Sequence, residues 1–127
     1  QNVITSTKVI SSHGSTSGET NFETQDKLYL LSGHEVYEDG TSNQISLKDT
    51  SYNNTKQLDY YKNQGVTTDD YAGTIKQYNG KDSDWWLRSA ISPYDTNDFI
   101  GVSFVYGDWY GRPATSPDGV SPAFRIA

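Results

Sequence analysis

The chain has 127 residues, the length of one ordinary domain, and a formal net charge of -6. This acidity disfavours a nucleic-acid partner, and no apolar run is long enough to insert into a bilayer. Only 33% of the residues are apolar, but 13% are aromatic, which argues against an intrinsically disordered chain. The absence of cysteine excludes disulfides and thiol catalysis.

The first third of the chain predicts short strands around a polar loop. Residues 1–26 are rich in Ser, Thr and Gly, with Val3-Ile4 and Val9-Ile10 as candidate edge strands. A loop is expected over 13–18, where Gly and Ser cluster. The apolar run 27–31 predicts a short, fully buried strand.

A helix is predicted directly after this strand. Ser32 and Glu35 have the spacing of a capping box, in which each side chain bonds the backbone N–H of the other residue. Gly40 is the expected end of this helix. His34 lies in its first turn and is expected to face solvent.

A second short helix is predicted over 55–64. Leu58 and Tyr61 share its apolar face, and Gly65 supplies the C-terminal stop. The segment 66–83 follows no helical or strand pattern and is predicted to be irregular.

The last third of the chain is β-like. Aromatic and β-branched residues predict strands over 85–87 and 99–106, and Gly107-Asp108 predicts a turn before a returning arm at 109–110. A final strand is predicted over 120–126. Because strands and helices are segregated along the chain, the expected fold class is α+β, with short helices and a small antiparallel sheet.

Two adjacent tryptophans stand at the start of the first of these strands. Successive strand residues face opposite sides, so one of Trp85 and Trp86 is expected to be fully buried and the other partly exposed. Arg88 is expected to hold loop carbonyls or a carboxylate. The phenylalanines within the predicted strands are expected in the core: Phe99, Phe104 and Phe124.

The blocks 84–89 (DWWLRS) and 119–126 (GVSPAFRI) resemble a bacterial and prophage domain family of unknown function. Its members carry a WWLRS block followed by a terminal GVRPAF-type strand. Segments 4–24, 26–32 and 60–65 are also similar to that family, so the resemblance covers most of the chain.

The resemblance implies a C-type-lectin-like fold, related to formylglycine-generating enzymes and to the variable proteins of diversity-generating retroelements. In such proteins the interval before the last strand carries the ligand-binding surface. Ser121 replaces the usual Arg of the terminal block, so an ion pair made there is lost or replaced. The front portion of longer members is missing. The chain is therefore expected to be one domain over 1–127. Either it is a compact version, or it is the C-terminal portion of a longer protein and another chain or a missing N-terminal portion completes the sheet.

No catalytic residue is expected. His13 lies in a Gly/Ser loop, no nucleophile-elbow motif is present, and the redox cysteines of formylglycine-generating enzymes are absent. No cofactor and no metal site are expected. The alternative is calcium bound by the oxygens of 82–84 or 95–98, although short Asp/Asn runs more often form turns.

The interval 90–118 is the candidate binding surface, because Tyr and Trp give rigid contact area while Asp and Asn give adaptable hydrogen bonds. An ordinary loop with partly buried aromatics is the alternative. At least one of Trp109 and Tyr110 is expected to project from a loop tip. The candidate ligand-binding residues are Tyr94, Asp95, Asn97, Asp98, Tyr106, Asp108, Trp109, Tyr110 and Arg112.

Three functions are compatible with these features. The first is a non-enzymatic ligand-binding or display domain, extracellular on a bacterial surface or a virion, that binds protein or glycan on a host or target cell. The second is a structural virion or filament subunit whose aromatic loops pack against neighbouring chains. An enzyme is the least favoured.

Overall fold

The computed structural model describes residues 3–11, 22–38, 56–90 and 98–127. The helical elements are α1 (Gly33–Val36), α2 (Asp59–Asn63) and a 3-10 turn (Ala72–Thr74). The strands are β1 (Ile4–Thr5), β2 (Thr7–Ser11), β3 (Phe22–Asp26), β4 (Tyr29–Leu30), β5 (Lys76–Tyr78), β6 (Lys81–Ser83), β7 (Trp85–Ala90), β8 (Asp98–Val102), β9 (Trp109–Pro113), β10 (Pro122–Ala123) and β11 (Arg125–Ile126).

A three-stranded antiparallel sheet, β7-β8-β9, is the largest unit of the fold. The described residues also form four two-stranded pairs: β1 with β11, β2 with β3, β4 with β10, and β5 with β6. The predicted final strand is paired as expected, but it is divided into two pieces that pair with different partners. Small antiparallel sheets with few short helices are compatible with the predicted α+β, loop-rich class.

The core lies between β7, β8 and the two helices. Val36 and Tyr37 from the end of α1 meet Leu87, Ile100 and Val102 from the sheet, and all five are almost fully buried. Tyr61 of α2 and Val66 close the same cluster. The helices therefore contribute mainly by covering the sheet, since neither is long enough to be stable alone.

Trp85 and Trp86 alternate as predicted. Trp85 is only 2% exposed and its indole N–H donates to the Thr74 carbonyl at 3.1 Å, whereas Trp86 is half-buried. This hydrogen bond stabilises the fold, because a buried indole N–H gives up its bond to water and would be destabilising without a protein acceptor.

The capping box of α1 is confirmed. Glu35 N–H donates to the Ser32 hydroxyl at 3.3 Å, and Ser32 N–H donates to Glu35 Oε2 at 2.8 Å. The prediction for His34 is wrong: it is buried, because α1 packs against β7 and Gly33 N–H donates to the Ser89 hydroxyl. The helix ends at Val36, before Gly40, which lies outside the described residues.

Arg88 holds a carboxylate, as predicted, and a carbonyl of strand β4 rather than of a loop. Its Nη1 donates to the Leu30 carbonyl at 2.7 Å and to Glu35 Oε2 at 2.6 Å. Arg88 thus ties β7 to β4 and to the N-terminus of α1, and its charge is paired inside the fold.

The second helix begins at Asp59, later than predicted. Tyr61 is buried as expected, but Leu58 is an exposed cap residue rather than part of a buried face. Gly65 has the positive φ of 81° that suits its role as a stop.

The segment 66–83 is not irregular, contrary to prediction. It contains the 3-10 turn and the β5–β6 hairpin. Asn79 and Gly80 connect the two strands with φ values of 51° and 74°, the left-handed pair typical of a tight hairpin turn. The Asn-Gly dipeptide was the sequence signal for this hairpin.

The three phenylalanines predicted in the core are all exposed. Strand β8 ends at Val102, so Phe104 lies in a turn beyond the sheet. Phe99 lies on the other face of β8 from its buried neighbour Ile100. Phe124 lies between the two-residue strands β10 and β11, which pair with different partners, and it is 49% exposed. The predicted buried strand 27–31 is likewise reduced to β4, whose residues are half-buried.

Candidate functional site

The structure divides the predicted binding interval among separate places. Tyr94, Asp95 and Asn97 lie outside the described residues. Asp98 is at the start of β8. The other candidates fall on a turn and on the strand that follows it: Tyr106, Asp108, Trp109, Tyr110 and Arg112.

The turn over residues 103–108, called here the display turn, has a closed hydrogen-bond network. Ser103 N–H donates to the Asp108 carbonyl at 2.8 Å, and Gly107 N–H donates to the Ser103 carbonyl at 3.0 Å. The Ser103 hydroxyl accepts from Val105 N–H at 3.2 Å. Asp84, which precedes β7, accepts from Phe104 N–H at 2.9 Å. These bonds hold the turn in one conformation against the sheet.

The base of the display turn is anchored in the core through Gly107. Its carbonyl accepts the Tyr37 hydroxyl at 2.7 Å and the Thr74 hydroxyl at 2.6 Å. Gly107 has a φ of 75°, and a Cβ at this position would collide with the Tyr71 carbonyl and the Thr74 hydroxyl. Only glycine therefore fits this anchor.

The tip of the display turn carries three consecutive apolar side chains into solvent. Phe104 is 47% exposed, Val105 is 51% exposed and Tyr106 is 71% exposed. Of these three, only Tyr106 is a site residue predicted from the sequence. The apolar run 99–106 matches the pattern of a buried strand, which is why Phe104 is predicted in the core.

Trp109 and Tyr110 do not project from a loop tip, contrary to prediction. Strand β9 begins directly after Asp108, so Trp109 pairs with Val102 and packs against the core. Tyr110 pairs with Gly101, and its ring lies against that residue. Both side chains are half-buried, and they lie on the strand that follows the display turn rather than on the turn itself.

Arg112 is engaged in an internal network rather than free at a rim. Its Nη2 donates to Asp118 Oδ1 at 2.8 Å, and its guanidinium lies 5.5 Å from the centre of the Tyr110 ring. The Tyr110 hydroxyl donates to Asp118 Oδ2 at 3.3 Å. Burial raises the pKa of Tyr110, and the carboxylates of Asp84 and Asp118 raise it further. The hydrogen bond to Asp118 raises the pKa of Arg112.

A groove of about 820 Å³ lies between the β5–β6 hairpin and residues 117–122. The hairpin contributes Lys76, Tyr78 and Ser83 to its lining, and the segment 117–122 contributes Val120. The Arg112–Asp118 pair also lines this groove. No sequence argument pointed to this groove, although the Asn-Gly turn could have located its hairpin.

Lys76 has an unusual environment at the groove. Its ammonium nitrogen lies 5.0 Å from the centre of the Trp85 ring, 5.7 Å from Tyr61 and 5.9 Å from Tyr60. Burial lowers the pKa of Lys76. In the part of the chain that the structure describes, no carboxylate forms an ion pair with it.

Two of the acidic residues proposed as calcium ligands accept hydrogen bonds within the protein, while Asp95 lies outside the described residues. Asp82 accepts from the Gln77 amide at 2.9 Å, and Asp84 accepts from Phe104 N–H. Within residues 3–11, 22–38, 56–90 and 98–127, no group of three or more His, Asp or Glu side chains is arranged to hold a metal ion. None of the described helices has the length and apolar character needed to cross a membrane.

Comparison with known proteins places the chain in a family but identifies no characterised relative. No curated protein and no solved structure matches it. The model of one family, described as a domain of unknown function (DUF6273), matches residues 1–127, which is the whole chain. The chain therefore belongs to the DUF6273 family.

Proposed function

We propose that this chain is a non-enzymatic ligand-binding and display domain whose contact surface is the display turn. The observation that carries the proposal is the contrast between the two ends of that turn. Its base is bonded into the core at Gly107, while Phe104, Val105 and Tyr106 are left in solvent. Exposed apolar side chains on a rigid support are a common arrangement at binding sites.

The energetics favour this arrangement for binding. Aromatic residues supply a large share of the binding energy in protein interfaces. A contact that is already ordered in the free protein loses less conformational entropy when the partner binds. The backbone N–H groups of Phe104 and Val105 donate to Asp84 and Ser103, and these hydrogen bonds order that backbone before any partner arrives.

A protein partner is favoured over a glycan. Phe104 and Val105 have no polar atoms in their side chains, whereas sugar recognition needs hydrogen-bonding groups beside an aromatic face. Tyr106 supplies one such group, so a glycan is the second candidate. We place the partner on a host or target cell surface and this domain outside the cell, on a bacterial surface or a virion.

The C-type-lectin-like fold is part of this proposal. The WWLRS block and the terminal strand resemble a family with that fold, in which the interval before the last strand binds ligand. The display turn lies in that interval. If the domain is a target of a diversity-generating retroelement, the codons of 90–118 will match an adenine-mutated repeat.

A structural virion or filament subunit is the second candidate function. It is favoured by other exposed apolar side chains on the terminal segment, namely Val120, Phe124 and Ile126. In an assembly these would pack against a neighbouring chain. The two functions differ in whether the display turn is accessible in the native species.

The test compares wild type with Phe104→Ser/Tyr106→Ser and a control, Leu28→Ser. Leu28 is also an exposed apolar side chain, but it precedes β4 and is remote from the display turn in sequence. Labelled proteins are applied to a glycan array and to an array of purified bacterial envelope proteins. The mass of each species is measured in solution.

We expect the display-turn variant to lose binding by on the order of thirtyfold, the effect of about 2 kcal/mol at an interface hot spot, with an unchanged circular dichroism spectrum. The control should bind like wild type. Equal binding by all three proteins contradicts the proposal. A wild-type oligomer that dissociates in the display-turn variant supports the structural function instead.

A further inference from the structure

The groove between the β5–β6 hairpin and residues 117–122 differs in chemistry from the display turn. Its volume of about 820 Å³ is within the usual range of small-molecule sites. Tyr78 and Val120 both line it, and both are largely exposed, at 70% and 69%. The groove therefore offers apolar contact area that the fold itself does not use.

Most charged groups at the groove are already satisfied. Asp118 accepts from Arg112 and Tyr110, and Asp84 accepts from the backbone of Phe104. These carboxylates are held by internal donors, and they disfavour any ligand that brings several negative charges. Among the described lining residues, one cationic group is left without an ion pair.

That group is Lys76. Three aromatic rings surround its ammonium at 5.0–5.9 Å, and it is half-buried. The rings offer cation–π attraction but no full negative charge. An acidic group entering the groove would form the ion pair that Lys76 lacks, in an environment less screened than bulk water.

We propose that this groove binds a small amphipathic acid, with a single carboxylate paired to Lys76 and an apolar body lying against Tyr78 and Val120. Lys76 is the specificity-determining residue because it is the one cationic side chain among the described lining residues that has no ion-pair partner. This site is separate from the display turn, and it can fail while the proposed function holds.

The test uses two probes that differ only in charge: N-acetyl-phenylalanine and its neutral amide. Binding is followed by NMR shifts of the backbone amides of 76–78 and 118–120. We expect saturable binding of the acid, with a dissociation constant on the order of 1 mM, and binding of the amide at least about tenfold weaker. Inorganic phosphate, which lacks the apolar body, should bind more weakly than the acid.

Lys76→Met removes the charge and keeps the length of the side chain, while Lys81→Met removes an exposed charge of the same hairpin that does not line the groove. Acid binding should fall about tenfold in the first variant and stay unchanged in the second. The proposal is overturned if the acid does not bind wild type, or if acid and amide bind equally. It is also overturned if Lys76→Met binds the acid like wild type, or if phosphate binds as tightly as the acid. The comparison of acid with amide decides the matter even if Lys76→Met does not fold.

Discussion

Glu35 on α1 and Arg88 on β7 form an ion pair with 2.6 Å between Oε2 and Nη1, and their side chains are only 15% and 10% exposed. The same carboxylate oxygen accepts Ser32 N–H, so it completes the helix cap as well. One carboxylate thus joins the start of α1 to the central sheet. This relationship explains why a helix of only four residues is ordered.

Removing the charge of Arg88 should destabilise the fold strongly. Arg88→Met leaves the Glu35 carboxylate buried without its cation, which costs about 3–5 kcal/mol for a buried pair. The free energy of unfolding is measured by urea denaturation. Lys8→Met breaks the exposed Lys8–Glu23 pair and should change stability by less than about 1 kcal/mol. Similar losses in both variants would contradict this interpretation of Arg88.

Substitution of Gly107 should lower the free energy of unfolding by more than the strain of its left-handed backbone alone accounts for. Gly80→Ala is the matched control, because Gly80 has nearly the same φ but open space around the added Cβ. The control should lose about 1–2 kcal/mol for the left-handed conformation. Gly107→Ala should lose a further 1–3 kcal/mol, roughly the cost of overpacking. Equal thermal midpoints for the two variants would show that the anchor of the display turn can relax.

The two adjacent tryptophans should differ in their contribution to stability. Trp85→Ala removes a core side chain and its bond to Thr74, with an expected loss of about 3–5 kcal/mol. Trp86→Ala should cost clearly less, because Trp86 keeps part of its surface in water in the folded state. Chemical denaturation of both variants measures the difference. Equal losses would contradict the assignment of their faces.

The protein should lose stability at alkaline pH through three tyrosines that the fold shields from water, two of them buried and one half-buried. Burial raises the pKa of Tyr37, Tyr61 and Tyr110, so the folded state keeps protons that the unfolded state releases near pH 10. Stability is therefore unaffected below the unfolded pKa and falls as pH rises above it, by up to about 1.4 kcal/mol per pH unit for each protected group. Absorbance of tyrosinate should show these groups titrating together with unfolding. Ionisation of all tyrosines near pH 10 in the folded protein would contradict the prediction.

Features that depend on neighbouring residues could be predicted from the sequence. The capping box of Ser32 and Glu35, the stop at Gly65 and the opposite faces of Trp85 and Trp86 each require contacts only within a few residues. The hairpin at Asn79-Gly80 was equally local, and it was missed although its signal was present. The antiparallel β-rich end of the chain follows from the same short-range patterns.

Only the tertiary structure decided which apolar side chains are buried. Phe104 and Trp109 are both aromatic residues in a β-like part of the sequence. Strand β8 ends before Phe104, which is exposed, whereas β9 begins at Trp109, which packs against the core. The environment of Lys76 in β5 likewise depends on two other elements. Tyr60 belongs to α2, which lies earlier in the chain, and Trp85 belongs to β7, which follows the β5–β6 hairpin. Burial and charge pairing depend on which element covers a face, and local pattern carries no information about that partner.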